Sequence, residues 1–218
     1  MAIIVNASWQ PSLFGGAPAP RSQSADAGKR LVQLDAASWV EVLPGWLPAA
    51  DALFACLLDT LPWEQRTRPM FERMVLEPRL TAEVASLDDA PHPALRHAAD
   101  ALSARYGVRY DHFWLNLYRD GQDSTAWHGD RISCRRELCI VPVLTLGATR
   151  RFLIKPRAGG PSHVFRPPAG DVLVMGGRCQ RDWVHAVPKA ADVAGARISV
   201  NFQSSEQART AQQRSRNS

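Results

Sequence analysis

His128-Gly129-Asp130 places an imidazole and a carboxylate two residues apart. On extended backbone, residues i and i+2 point to the same side, so both can reach one cation. The pair is a loose signal alone, because six histidines in 218 residues make a chance His-x-Asp common. A third donor strengthens it: His185, in Asp182-Trp183-Val184-His185. Two imidazoles and one carboxylate leave coordination positions open, the donor set suited to a non-haem Fe(II) centre. A structural zinc site would take four protein ligands and more cysteine. The competing reading of His185 is a core imidazole that donates a hydrogen bond.

An iron of that kind draws its electrons from 2-oxoglutarate, whose distal carboxylate calls for a fixed, bidentate cation. Arginine supplies that fork and lysine does not. Arg197 stands on a strand that begins twelve residues after His185. Asn116 and Tyr118 fall on one face of their own strand, an amide and a phenol for the same ligand. Each is also an ordinary polar residue for a sheet.

These groups need a scaffold that brings distant segments together. His112–Tyr118 alternates Phe113, Leu115 and Leu117 with Trp114, Asn116 and Tyr118. Arg197–Gln203 alternates Ile198, Val200 and Phe202 with Arg197, Ser199, Asn201 and Gln203. Period two predicts strands there, and Glu137–Thr145, Arg151–Lys155 and Asp171–Met175 read likewise. Ahead of them, Asp51–Leu61 and Pro93–Tyr106 carry helical spacing, the second stopped by Gly107. Short strands between Gly/Pro turns, with helices leading in, predict a mainly β (α+β) sandwich or barrel.

Residues 1–30, rich in Ala, Pro, Gly and Ser, read as a mobile arm, 31–205 as one domain, and 206–218 as a flexible tail. Cys134 and Cys139 are five apart, which puts them on opposite faces of a strand; with Cys56 and Cys179 they read as reduced thiols. No apolar run approaches the ~18 residues of a membrane span, and the N-terminus has no secretory pattern, so a cytoplasmic protein is expected. Nothing calls for an obligate dimer, and a monomer is expected. From Arg131 to Arg181, ten Lys/Arg face Glu137 and Asp171, a local +8 in a chain of +5. Such a concentration can dock a polyanion, or it can simply fill solvated positions.

In order along the chain come Asn116-Leu117-Tyr118, Trp127-His128-Gly129-Asp130, Leu146-Gly147-Ala148-Thr149-Arg150, Gly170-Asp171-Val172-Leu173-Val174-Met175, Trp183-Val184-His185 and Arg197-Ile198-Ser199-Val200-Asn201-Phe202. This ordered set resembles AlkB-type nucleic-acid dioxygenases, as do Pro62-Trp63 and Pro78-Arg79-Leu80-Thr81-Ala82 upstream. The resemblance implies a double-stranded β-helix (jelly-roll) core with the N-terminal helices packed on it. It implies Fe(II) on His128, Asp130 and His185, and 2-oxoglutarate on Asn116, Tyr118, Arg197, Ser199, Asn201 and Gln203. The implied reaction uses O2, converts 2-oxoglutarate to succinate, and removes N-linked alkyl groups from bases of DNA or RNA as aldehydes. A base in a duplex must leave its stack first.

The chain departs from the family at three places. Gln203 stands where a second arginine often helps to hold the co-substrate. Arg131 and Ile132 replace acidic residues that recognise the exocyclic amine of the base. Glu83-Val84-Ala85 replaces an aromatic pair in the substrate lid. Trp63, Phe71 or Trp127 are candidates to compensate, and Trp63, Trp127, Arg131 and Arg150 are the candidate substrate contacts. Two alternatives follow: an oxygenase for a substrate other than nucleic acid, or a non-catalytic nucleic-acid-binding relative. Separately, Gln10-Pro11-Ser12-Leu13-Phe14 resembles peptides that dock on bacterial sliding clamps through Gln10, Leu13 and Phe14. The competing role for Leu13 and Phe14 is packing back on the enzyme's own surface.

Overall fold

The structure is a computed structural model and describes residues 28–70, 73–130 and 134–209. In chain order its elements are β1 (Arg30–Gln33), β2 (Ser38–Leu43), α1 (Ala50–Thr60), β3 (Thr67–Met70), β4 (Arg73–Leu76) and β5 (Leu80–Val84). A 3-10 turn at Leu87–Asp89 leads to α2 (Pro93–Tyr106), β6 (His112–Tyr118), β7 (Thr125–His128), β8 (Cys139–Gly147) and β9 (Phe152–Pro156). Then follow β10 (His163–Phe165), β11 (Val172–Gly177), α3 (Cys179–Asp182), β12 (Trp183–Val187), β13 (Arg197–Gln203) and α4 (Ser205–Ala208).

Strands β1-β2-β11-β8-β13-β6-β5 form a seven-stranded sheet and β10-β9-β12-β7 a four-stranded one, while β3 and β4 make a separate hairpin. The pairings are antiparallel. This is the sandwich that the alternating strands predict, in the jelly-roll form that the resemblance implies. Two buried clusters hold it. On one face of the larger sheet, Phe113, Leu115, Leu117, Ile198, Val200 and Phe202 pack with Leu53, Phe54 and Leu57 of α1 and Leu95, Ala98 and Leu102 of α2. The other face shares Val141, Val143, Leu173 and Met175 with Phe152, Ile154, Trp183 and Val187 of the smaller sheet. Fully burying one such side chain stabilises by about 1.5–3 kcal/mol.

Local signals fix α2 well. Pro93 fits the first turn, where its missing N–H costs nothing; His92 Nδ1 accepts from Ala94 N at 3.2 Å, and Gly107 turns left-handed (φ 64) to end the helix. Helix α1 spans nearly the segment its spacing predicts and buries Leu53, Phe54 and Leu57.

Two expectations are corrected. Cys134 is not on a strand: β8 begins only at Cys139, and Cys134 lies before it with its N–H on Asp130 O at 2.9 Å. The chain there folds back and the two cysteines form a disulfide with Cα atoms 6.0 Å apart; Cys56 and Cys179 remain free thiols. Nor does the packed chain stop at residue 205. Gln207 is buried, and its amide both accepts from Ile140 N (2.8 Å) and donates to Ile140 O (3.0 Å), a peptide-like match that docks α4. Among the described residues no helix is long and apolar enough to cross a membrane.

Candidate metal and co-substrate site

The two histidines meet because β7 and β12 are neighbours: His128 and His185 are paired across the sheet, and their ring centroids lie 4.2 Å apart. Asp130 follows on the turn after β7, with Oδ1 3.6 Å from His128 Nε2 and Oδ2 3.5 Å from His185 Nε2. One ligand atom from each residue lies within 4.8 Å of the others. His128 Nδ1 is 2.8 Å from the Ala126 carbonyl. A carbonyl only accepts, so Nδ1 carries the proton and Nε2 presents its lone pair to the triad. Burial pushes the His185 pKa down to about 4, His128 adds to that, and Asp130 opposes it. The imidazole is therefore neutral near pH 7 and able to ligate. Phe152 stacks on it at 5.4 Å.

The turn holding Asp130 is clamped by α3. Gln180, 1 % exposed, accepts the Asp130 N–H on Oε1 at 2.8 Å. Gly129 is required by close approach: a Cβ there would sit 2.8 Å from Arg157 Nη2 and 2.9 Å from the Gln180 carbonyl. Arg157 in turn donates to the carbonyls of Arg181 (2.9 Å) and Trp183 (3.3 Å).

A cleft of ≈ 460 Å³ opens beside the triad. Arg197, only 1 % exposed, lines it; Nη2 donates to Thr145 Oγ1 at 3.2 Å, while Nε and Nη1 are buried with no hydrogen-bond partner. Burial pulls the guanidinium pKa down, opposed by Tyr118, whose ring centroid lies 5.4 Å from Cζ. Orphaned buried donors of this kind cost free energy until an anion meets them. Tyr118 OH is 2.8 Å from Thr125 Oγ1, and Asn116 links Arg79 (Nε to Oδ1, 2.9 Å) with Ser199 (Nδ2 to Oγ, 3.2 Å). Fixed forks and amides facing one cleft fit a small dicarboxylate, and the adjacent N2O donor set fits Fe(II).

His128, Asp130, His185, Asn116, Tyr118, Arg197, Ser199, Asn201, Gln203 and Trp127 therefore all line one cleft. Two candidate substrate contacts lie elsewhere. Trp63 is a core residue on the helix side, its indole N–H held by the Leu57 carbonyl at 3.2 Å. Arg150 is 1 % exposed and ties loops together through the carbonyls of Asp120 (2.7 Å), Asp123 (2.8 Å) and Pro188 (2.8 Å). Several other cations of the basic stretch also have partners: Arg178 pairs with Asp182 and Glu137, and Arg136 with Glu206. Arg131, Ile132, Phe71, Gln10, Leu13 and Phe14 lie outside the described residues. Arg66, Arg79, Trp114 and Gln180 were not among the sequence candidates. Trp114 was legible, since it shares the polar face of β6 with Asn116 and Tyr118; Gln180 carries no signal before the fold is known.

The family model described as 2OG-Fe(II) oxygenase superfamily matches residues 40–203. The chain is 31% identical over 187 residues to alpha-ketoglutarate-dependent dioxygenase alkB homolog 3 of Bos taurus and 30% identical to that of Homo sapiens, covering 76% of this chain and 65% of each relative. It thus spans just under two thirds of their length. It is 27% identical over 226 residues to the DNA oxidative demethylase ALKBH2 of Arabidopsis thaliana, covering 84% of this chain and 71% of the relative. A crystal structure of an oxidoreductase of the 2OG-Fe(II) oxygenase family from Burkholderia pseudomallei aligns at TM-score 0.53 and 16% identity, over 78% of this chain and 89% of that one. OsALKBH1 aligns at TM-score 0.51 and 14% identity, over 80% and 100%. At those identities the structural likeness speaks for the fold alone.

Proposed function

The chain belongs to the 2OG-Fe(II) oxygenase superfamily, and from that premise we propose that it is an AlkB-type dioxygenase that oxidatively removes alkyl groups from bases in DNA or RNA. One observation carries the reading: a buried guanidinium with unpartnered donors lines the same cleft as a His-Asp-His triad. The similarity to alkB homolog 3 and to a DNA oxidative demethylase supports the substrate class.

His128, Asp130 and His185 would hold Fe(II), two neutral imidazoles and a carboxylate. Iron and 2-oxoglutarate, when bound, supply activation of O2 coupled to decarboxylation of the keto acid to succinate. The chain's own work is positional. Arg197, braced by Thr145, supplies the fork for the distal carboxylate, and Tyr118 and Asn116 flank it. Gln203 offers an amide in the same cleft without adding charge. Phe152, Val143 and Val187 line part of the cleft with hydrocarbon. The Gln180 contact fixes the Asp130 backbone from which the carboxylate projects.

Purified protein with Fe(II), ascorbate and 2-oxoglutarate should form succinate faster when a methyl- or etheno-adduct oligonucleotide is added. Mass spectrometry should show loss of the alkyl mass from that oligonucleotide. Succinate formation that no oligonucleotide stimulates would move the substrate to another class of molecule. The reading also includes a monomeric cytoplasmic enzyme tethered to a sliding clamp through Gln10, Leu13 and Phe14, which rests on sequence alone. Leu13→Ala with Phe14→Ala should abolish clamp pull-down.

A further inference from the structure

The cleft has an aromatic wall in a place the sequence motifs do not mark. Trp114 projects from the same face of β6 as Asn116 and Tyr118 and lines the same cleft. Side chains on one face of a strand are spaced about 7 Å apart. Tyr118 sits opposite Arg197 in the sheet register, Asn116 opposite Ser199, and Trp114 opposite Asn201. The indole therefore stands two steps along the row from Arg197, past Asn116 and opposite Asn201. Its strand neighbour on the other side is Glu83 of β5. So where β5 offers a carboxylate, the adjacent strand supplies a large ring. The Trp114 carbonyl accepts from Asn201 Nδ2 at 2.8 Å, which fixes the backbone that carries the ring. The guanidinium of Arg66, an exposed residue that also lines the cleft, lies over the ring at 4.3 Å from its centroid.

An indole face and a guanidinium plane are both surfaces on which a nucleobase stacks. The core tryptophans are committed differently: Trp63 and Trp183 are buried, with their N–H groups bonded to the Leu57 carbonyl and the Asp35 carboxylate. Trp114 is only half-buried. We infer that Trp114 is the stacking wall for the alkylated base, and that Arg66 yields the ring to the base and pairs with a flanking phosphate. This rests on the nucleic-acid reading above and adds to it the residues that grip the base. Stacking needs no sequence-specific hydrogen bonds, which suits a site that must accept a base out of its helix.

Binding of a single-stranded methyl-adduct oligonucleotide, measured by fluorescence anisotropy on the full chain loaded with Mn(II) and 2-oxoglutarate, tests this. W114F should bind within about threefold of the unsubstituted protein. W114L, which keeps apolar bulk without a π face, should bind about 5- to 150-fold more weakly, the range for loss of one base–aromatic stack. R66A should lower the slope of log Kd against log salt by about one. Binding by W114L equal to that of W114F would overturn the inference while leaving the dealkylase reading intact. If the unsubstituted protein shows neither binding nor oligonucleotide-stimulated succinate formation, the nucleic-acid reading fails first and the inference with it.

Discussion

The two faces of the seven-stranded sheet make different demands on the same backbone. Toward the helices, Ile198, Val200 and Phe202 of β13 and Phe113, Leu115 and Leu117 of β6 are almost wholly buried in hydrocarbon. Toward the cleft, the alternate residues Arg197, Ser199, Asn201 and Gln203 face Trp114, Asn116 and Tyr118. The first face is held by volume and would accept hydrocarbon swaps of similar size. The second is held by individual atoms, and at Arg197 it keeps two buried donors unpaired. Stability and ligand binding are thus separated by the thickness of one strand, and substitutions on the two faces should be distinguishable by what they spare.

The most severe test lies on the metal side of the cleft. His185→Ala should reduce 2-oxoglutarate turnover to background and remove the visible absorption that Fe(II) and 2-oxoglutarate give together, while the protein still melts cooperatively. Phe202→Ala, on the opposite face, should lower unfolding free energy by about 3–5 kcal/mol in denaturant titrations, with co-substrate affinity unchanged in the fraction that stays folded. Arg197→Met should weaken 2-oxoglutarate binding by about 2–5 kcal/mol by calorimetry, yet leave the melting temperature of the ligand-free protein unchanged or higher, because an uncompensated buried charge is gone. A fall comparable to that of Phe202→Ala would break the separation. Gln180→Leu should weaken Mn(II) binding about 10- to 100-fold, with Gln180→Glu recovering part of it, since a carboxylate oxygen can still accept the Asp130 N–H.

The smallest effect belongs to the helix side. Burial pushes the Asp111 carboxyl up, but bonds from His112 and from the backbone and hydroxyl of Ser205 outweigh it and hold the pKa below the usual aspartate value. A depressed carboxylate adds stability above its unfolded pKa and loses it as pH falls through the folded one. Asp111→Asn should therefore flatten the acid limb of the stability–pH curve and leave metal binding untouched.

How much of this was legible depends on the environment of each strand. β6 and β13 match their predicted bounds because one face meets helices and the other a polar cleft, which writes a clean period of two. β12 is buried along its whole length, so Trp183–Val187 shows no alternation, and His185 was found through its chemistry instead. β2 hides a charge: Glu41 is buried because Arg105 (2.8 Å) and the Tyr106 hydroxyl meet it, partners more than sixty residues away. Trp63 and Arg150 show the converse limit. Residue type told what they can bind, but their surroundings had already used those groups.

The pairing of His128 with His185 reaches beyond catalysis. β7 is a four-residue strand at the outer margin of the smaller sheet, joined there to β12. An ion gripping one histidine from each strand rivets that margin shut. Stripped by a chelator, β7 loses that tie and keeps its backbone bonds to β12 with the Tyr118 and Gln180 contacts; wherever it peels away, β12 becomes a free edge, a template for self-association. Shelf life in EDTA and resistance to clumping should therefore track iron content, even in samples never given a substrate.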